Sequence, residues 1–422
     1  MNILSKIYYK FRRAAKVLKL FIMISGPGII VMVADNDAGG ITTYTATGAK
    51  YGYGLLWFLI ILGPVAYFVQ EMTVRLGAVT KRGHAEAIFD AFGPFWGWFS
   101  LLDLVMTDWL TLITEFIGMT TALRIFNVPP VLTVILVCTV MGIMIIQGKY
   151  WTWEKIAMIF CALNIIYIPA AFFVHPSIPD VIHGALIPHF PGGLNGQLFF
   201  FLMANIGTTI APWMVFFQQS SVVDKGLQEK DIPWGKADTA VGAVFTILIA
   251  FFCIIVTGSL LKGVDIQSAD QAARMLMGIS RYLGTFLAIG LFNAGFLGAI
   301  CISLASSWAF GEVFGWAHSL NNKIREAPWF YASYFIMVIS AGCVVLIPGA
   351  PLVLITLFVQ VIATTLLPAA LVFLILLLND ETLMGRYKNT LSQNIINTTI
   401  VGTIIILSTL YSISALFPKL FM

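Results

Sequence analysis

Charge is what this 422-residue sequence has least of. Asp, Glu, Lys and Arg make up 10% of it and hydrophobic residues 59%, where a soluble domain carries about 25% charged residues. The mean hydropathy of +0.91 excludes an ordinary soluble protein and implies a polytopic membrane protein. Cysteine is scarce as well. Cys138, Cys161, Cys253, Cys301 and Cys343 stand singly among apolar residues, so they read as small core residues and not as a disulfide or metal framework. There is no low-complexity tract, and no soluble domain of useful size lies outside the apolar segments. Without a nucleophile–base pair or a phosphate loop, an enzyme is the least expected class. The basic stretch Met1 to Lys19 lacks an apolar core followed by a small-residue cleavage site and reads as an uncleaved basic N-terminus. The net charge of +4 is a topology signal and no evidence for a nucleic-acid partner.

What the sequence does have is long apolar segments. About eleven have the roughly 17–25 residues that suit spanning helices. They lie near 20–48, 54–74, 97–123, 129–147, 154–174, 197–222, 237–261, 283–310, 328–347, 351–378 and 395–417. Of the 24 lysines and arginines, 18 fall in loops that share a side with the N-terminus and 6 on the other side. The positive-inside rule therefore predicts a cytoplasmic N-terminus and, with an odd span count, an extracellular C-terminus.

Two of these segments are broken. The first runs from Gly26-Pro27-Gly28 into Ala34-Asp35-Asn36-Asp37-Ala38-Gly39-Gly40 and resumes as Ile41-Thr42-Thr43-Tyr44. A carboxylate at mid-bilayer depth costs roughly 2.5–3.5 kcal/mol, and non-helical backbone is tolerated there only inside protein or beside a wet cavity. Two short helices joined by an exposed loop would leave each half too short to span. The break thus reads as an ion or substrate site. The sixth segment breaks at Asn205-Ile206-Gly207-Thr208-Thr209-Ile210-Ala211-Pro212, where proline removes an amide and glycine weakens the helix. Interrupted spans five apart predict an inverted-repeat transporter: repeat one about 20–174, repeat two about 197–378 and an extra helix about 395–417. The substrate would sit at the midplane between the breaks.

Asp37 is the prime candidate to bind a cation, because hard cations take oxygen ligands and a break supplies carboxylate and bare carbonyls together. Of Asp35 and Asp37, one is expected to face the site and the other to cap a half-helix. In the third span Asp108, Thr111 and Glu115 share a helical face. Glu115 reads as a pathway wall; Asp103 and Asp108 read equally as pathway or as structural carboxyls. Gln360, a lone amide in the tenth span, either binds a neighbouring helix or faces the site. His175, His183 and His189 lack the short ligand pairs of a zinc site and read as loop residues. Lys81-Arg82 and the N-terminal basic run read as topology signals and lipid-headgroup contacts.

These residues resemble the NRAMP family of divalent-metal transporters along most of the first ten spans. The resemblance rests on Gly26-Pro27 through Asp37, Gly48-Ala49-Lys50-Tyr51-Gly52-Tyr53, Arg75-Leu76-Gly77-Ala78-Val79-Thr80, Glu115-Phe116-Ile117-Gly118, Leu186-Ile187-Pro188, Pro191-Gly192-Gly193, Gln360-Val361 and Leu367-Pro368. It implies an all-α, leucine-transporter-type fold. The family's Asp-Pro-Gly-Asn reads Asp37-Ala38-Gly39-Gly40 here, so the ligand asparagine is glycine. Its Met-Pro-His reads Ala211-Pro212-Trp213, a second histidine falls on Gln218, and an acidic position in the third span falls on Leu112.

These departures imply a wider site without the thioether that favours softer metals. Such a site suits Mg²⁺, which dehydrates reluctantly. Losing titratable groups argues against proton coupling, and ~100 mV supplies about 4.6 kcal/mol to a divalent ion, twice the ~2.3 kcal/mol of a unit charge. The sequence thus resembles the family's prokaryotic magnesium-transporter branch. The expectation is import of largely hydrated Mg²⁺, with Mn²⁺ as a second substrate, by uncoupled alternating access in a bacterial plasma membrane. Asp37 would anchor the ion, carbonyls near Ala34 and Thr208 would hold it or its waters, and Glu115, Asn205 and Gln360 would meet the hydration shell. Gly40 and Ala211 would shape the space. Beyond the transported ion and the lipid bilayer, no cofactor and no obligate protein partner is expected. A proton-coupled Mn²⁺ or Fe²⁺ carrier and a non-transporting metal sensor or scaffold are the rival readings.

Overall fold

The computed structural model describes residues 24–146, 149–264, 266, 269–350 and 352–416. The basic N-terminus, the first residues of span one and the end of span eleven lie outside the described residues. All regular elements among the described residues are helices. The first broken span is α1 (Pro27–Ala34) and α2 (Ala38–Tyr51). Then follow α3 (Leu56–Thr80), a short α4 (His84–Phe92), α5 (Pro94–Arg124) and α6 (Pro130–Ile146). The fifth span bends through a 3-10 turn between α7 (Tyr150–Leu163) and α8 (Tyr167–Phe173), and α9 (Ile178–Leu186) follows it. The second broken span is α10 (Gly196–Gly207) and α11 (Pro212–Lys225). The rest comprises α12 (Ile232–Leu260), α13 (Ala269–Ile279), α14 (Arg281–Phe314), α15 (Pro328–Val345), α16 (Leu352–Asn379), α17 (Glu381–Met384) and α18 (Leu391–Leu416).

Helices occupy all eleven expected segments. By length and composition, eight helical stretches suffice to cross a membrane, among them the broken Gly196–Lys225. The structure adds α9 where the sequence reads as a loop. Pro176, Pro179, Gly184 and Pro188 hid it, yet Pro179 falls in the first turn, where proline is tolerated. Its Ile178, Ile182 and Leu186 are exposed at helical spacing, as in a helix lying at a membrane interface.

Both broken spans are enclosed. Every described residue of α1 and α2 is buried except Ile29, Lys50 and Tyr51. α12 runs along α1 and α2, α14 packs along α5, and α16 lies against α10. The two breaks are thereby held deep in the bundle.

Candidate functional site

The first break is built by carboxylates that take over the amides a helix start leaves unpaired. The ladder of α1 ends where the Asp35 amide reaches Val31 O at 3.1 Å and the Asn36 amide reaches Val33 O at 3.2 Å. The Met32 carbonyl accepts from the Thr246 hydroxyl of α12. Asp37 is extended (φ −71°, ψ −178°) and its Oδ1 accepts the Gly40 amide at 2.6 Å. The Ala38 amide goes to Glu115 Oε2 on α5 at 2.9 Å, and Thr114 Oγ1 donates to Glu115 Oε1 at 3.1 Å. Two acids therefore cap one half-helix, one from its own chain segment and one from across the bundle. The Asp37 and Glu115 carboxyls lie close enough to interact. Gly298 of α14 closes the third side: a methyl there would sit 2.9 Å from Asp37 Cβ and 3.0 Å from Glu115 Oε2.

The expected division of labour between the aspartates changes. Asp37 itself is the cap, through one oxygen, while Asp35 is buried with Oδ2 unpartnered.

At the second break, Pro212 has no amide to give the Thr208 carbonyl. Tyr44 Oη donates to that carbonyl at 3.2 Å and lies 3.2 Å from Thr209 Oγ1. So the Thr208 carbonyl, expected free, already holds one hydrogen bond. Ala211 is extended, and its amide donates to Met214 Sδ at 3.3 Å. Gln360 wedges between the breaks. A methyl on Gly39 would overlap its Nε2, and one on Gly207 would overlap its main-chain carbonyl. A methyl on Gly40 would overlap Thr208 Oγ1. Of the space that the sequence assigned to a wider cavity, the part beside Gly40 is filled by Thr208.

The structure brings Asp37, Glu115, Gly40, Thr208 and Gln360 together. Ala34 ends α1 beside them and Ala211 joins the second break as backbone. Asn205 faces α2 higher up, where its Nδ2 donates to Thr47 Oγ1 at 2.9 Å and to Phe201 O at 2.7 Å. Asp37 is 3% exposed and Glu115, Asn205, Thr208 and Gln360 are at most 1% exposed, so the site is occluded. Asp108 sits two turns from Glu115, where Ser306 Oγ donates to its Oδ2 at 2.6 Å and Oδ1 is unpartnered. Asp103 is half-buried. The rings of His183 and His189 are 6.4 Å apart, and no cluster of three or more His, Cys, Asp or Glu side chains that could hold a metal occurs among the described residues.

Sequence reasoning missed Tyr44 and Gly298. The threonine-rich polar face of α2 was a signal for Tyr44; nothing local marks Gly298.

Several buried atoms here lack protein partners: Asp35 Oδ2, both side-chain heteroatoms of Asn36, Asn205 Oδ1, Thr208 Oγ1 and Gln360 Nε2. A buried polar atom left unpaired costs about 1–3 kcal/mol. Four of these six atoms are oxygens, the donor type that a hard cation takes.

A family model described as natural resistance-associated macrophage protein-like matches residues 28–414. A divalent metal cation transporter, MntH, of Caldanaerobacter subterraneus is 24% identical over 407 residues, which is 93% of each chain. The fold matches that of the Eremococcus coleocola manganese transporter with TM-score 0.79 at 19% identity, over 94% of this chain and 87% of that one. It also matches MhsT solved with L-phenylalanine, with TM-score 0.61 at 12% identity over 92% and 98% of the two chains.

Proposed function

Because this chain belongs to the Nramp family of natural resistance-associated macrophage protein-like proteins, we propose that it carries a divalent metal cation across the membrane. The observation that carries this reading is the pairing of two buried carboxyls, Asp37 at the first helix break and Glu115 on α5 beside it. Alternating access would move the two repeats about that point, with Asp37 as the anionic anchor and Thr208, Gln360, Asn205 and bare carbonyls near Ala34 meeting the ion or its waters. Ala211 and Gly40 set the backbone there. The lysine and arginine distribution supports a plasma-membrane orientation with the N-terminus inside.

The ion is a matter of donor chemistry. Thr208 Oγ1, the Asp35 carbonyl and Asp37 Oδ1 converge on Gly40, and the sulfur of Met214 at the second break is held by the Ala211 amide. That composition supports Mg²⁺, carried with much of its water and driven by the membrane potential alone. A second reading is proton-coupled Mn²⁺ uptake. The printed names of the relatives support it better than they support magnesium. One feature of the site also favours it: adjacent buried carboxyls cannot both stay ionised without a cation or a proton between them, so cation entry would expel a proton.

Uptake into proteoliposomes, with Mg²⁺, Mn²⁺ and pH dyes inside and an imposed negative potential, separates the readings. Mg²⁺ entry without acidification supports the first, and Mn²⁺ entry with acidification the second. Binding without flux of either ion leaves a sensor or scaffold and sinks the transport reading.

A further inference from the structure

The Gly26-Pro27-Gly28 sequence that opens the first broken span lies at the opposite end of α1 from the cation site, and the site does not use it. The helix start has no cap from its own sequence. Instead Asp238 of α12 accepts the Gly26 amide at 3.1 Å through each oxygen and the Gly28 amide at 2.7 Å. Just before it, Lys225 at the end of α11 donates to Ile24 O at 2.9 Å, Ser25 O at 2.8 Å and Glu154 Oε1 of α7 at 2.7 Å. All three protons of the ammonium are therefore placed. The Lys225 and Glu154 side chains are 1% and 5% exposed. Lys225 Nζ also lies 4.9 Å from the centroid of the Trp151 ring. A second bond joins the same two helices, Tyr150 Oη to Ser221 Oγ at 2.7 Å.

The glycines make this approach possible. A side chain on Gly26 would overlap Glu154 Oε1, and a methyl on Gly28 would lie 2.6 Å from the Thr239 amide and 2.8 Å from Asp238 Oδ2. One anion, on α12, thus holds the amides of this segment, and one cation, on α11, holds the carbonyls just before it.

We propose that Lys225 and Glu154 form a latch that keeps α7 closed over α11 and the start of α1, and that its rupture opens the occluded cation site toward this face of the molecule. Asp238 keeps the amides of α1 paired while the latch is open, so the half-helix moves without losing its cap. A buried ion pair suits such a device. Its charges hold each other strongly once dry, yet desolvation makes the closed pair little better than two hydrated ions. The closed and open states are thereby near in free energy. The meaning of the latch rests on the transport reading; its existence does not.

The test reads opening directly and needs no flux. Ala157 on α7 is 1% exposed and lies one turn beyond Glu154. Ala157→Cys is made the sole cysteine, and its reaction with N-ethylmaleimide is timed in purified full-length protein. A companion protein keeps only Cys301, buried in α14. Lys225→Met and Glu154→Gln are each expected to raise labelling at position 157 at least tenfold and to leave Cys301 unchanged. The pair of changes made together should act no more strongly than either alone. The charge swap Lys225→Glu with Glu154→Lys is expected to return labelling to within about threefold of the parent. Unchanged labelling at 157 in folded single variants overturns the latch. So does a parallel rise at Cys301, which would make the ion pair a general structural support. Loss of cation flux in the parent protein would instead count against the transport reading and leave the labelling result standing.

Discussion

Glu115 Oε2 accepts the amide of Ala38 at 2.9 Å. A carboxylate on α5 thus finishes the N-terminus of α2, the half-helix that begins at the first break. The same carboxyl faces Asp37, whose Oδ1 accepts the Gly40 amide two residues on. Anchor and cap are one group, and its neighbour on α5 keeps the break in register.

That sharing sets the first prediction. Asp37→Ala removes the cap and the anionic anchor together. Cation uptake by proteoliposomes should fall at least a hundredfold, and thermal stability should fall by about 1 kcal/mol, the usual cost of a lost helix cap. Glu115→Gln keeps a group that can accept the Ala38 amide. It should cost uptake more than stability. Uptake at the parent rate in an Asp37→Ala protein that still inserts would sink the assignment.

The contact between the two breaks makes a second prediction. Gly40→Ala should lower uptake strongly, because its methyl would overlap Thr208 Oγ1. Thr208→Ala removes that hydroxyl. If the clash is the cause, the double variant Gly40→Ala with Thr208→Ala should recover most of the loss, with a coupling of about 0.5–3 kcal/mol between the two sites. An additive double variant would place the effect of Gly40 elsewhere.

Selectivity should respond to sulfur at the second break. Ala211→Met places a thioether where the Ala211 amide now meets Met214 Sδ. Thioethers favour softer cations, so Cd²⁺ should block uptake at about tenfold lower concentration than in the parent protein. Mg²⁺ uptake should weaken. Competition curves with the two ions decide it, and equal Cd²⁺ sensitivity would remove donor softness as the basis of ion choice.

One pH effect lies outside the spans. His84 opens the short helix α4, fully buried, with its ring edge-on to Phe216 at 4.7 Å and Nδ1 3.0 Å from Gln219 Oε1. Burial pulls its pKa from 6.5 down to about 4, partly offset by the Gln219 hydrogen bond. The unfolded chain takes up the proton first as pH falls, so His84 stabilises the fold above about pH 6.5. That stability is lost progressively toward pH 4, by up to about 3 kcal/mol. His84→Gln should flatten this part of the stability-against-pH curve, measured by thermal unfolding at fixed detergent. An unchanged slope would assign the acid sensitivity to other groups.

The sequence was legible where physics is local. Low charge and long apolar runs determined the membrane class. Spans one and six were found as broken because acids, glycines and a proline interrupt hydropathy that is otherwise continuous. The lone polarity of Asp37, Glu115 and Gln360 in apolar surroundings singled them out, since an unpaired polar group in hydrocarbon is costly wherever the chain places it. α9 was illegible because its prolines and glycine resemble loop punctuation, although the first turn of a helix accepts proline.

Tertiary structure alone decided how these groups meet. Whether Asp35 or Asp37 caps α2 depends on backbone angles at the break. That Thr208 fills the space beside Gly40, that Tyr44 takes the Thr208 carbonyl, and that Gly298 admits α14 are contacts between helices far apart in the chain. The same holds for Lys225. In the sequence it is one of the positive charges on the N-terminal side, a mark of topology. In the fold it is a dry ammonium with three partners. Hydropathy and periodicity report what a segment is made of; close packing of distant segments sets which polar atoms are left to pair, and no local pattern encodes that choice.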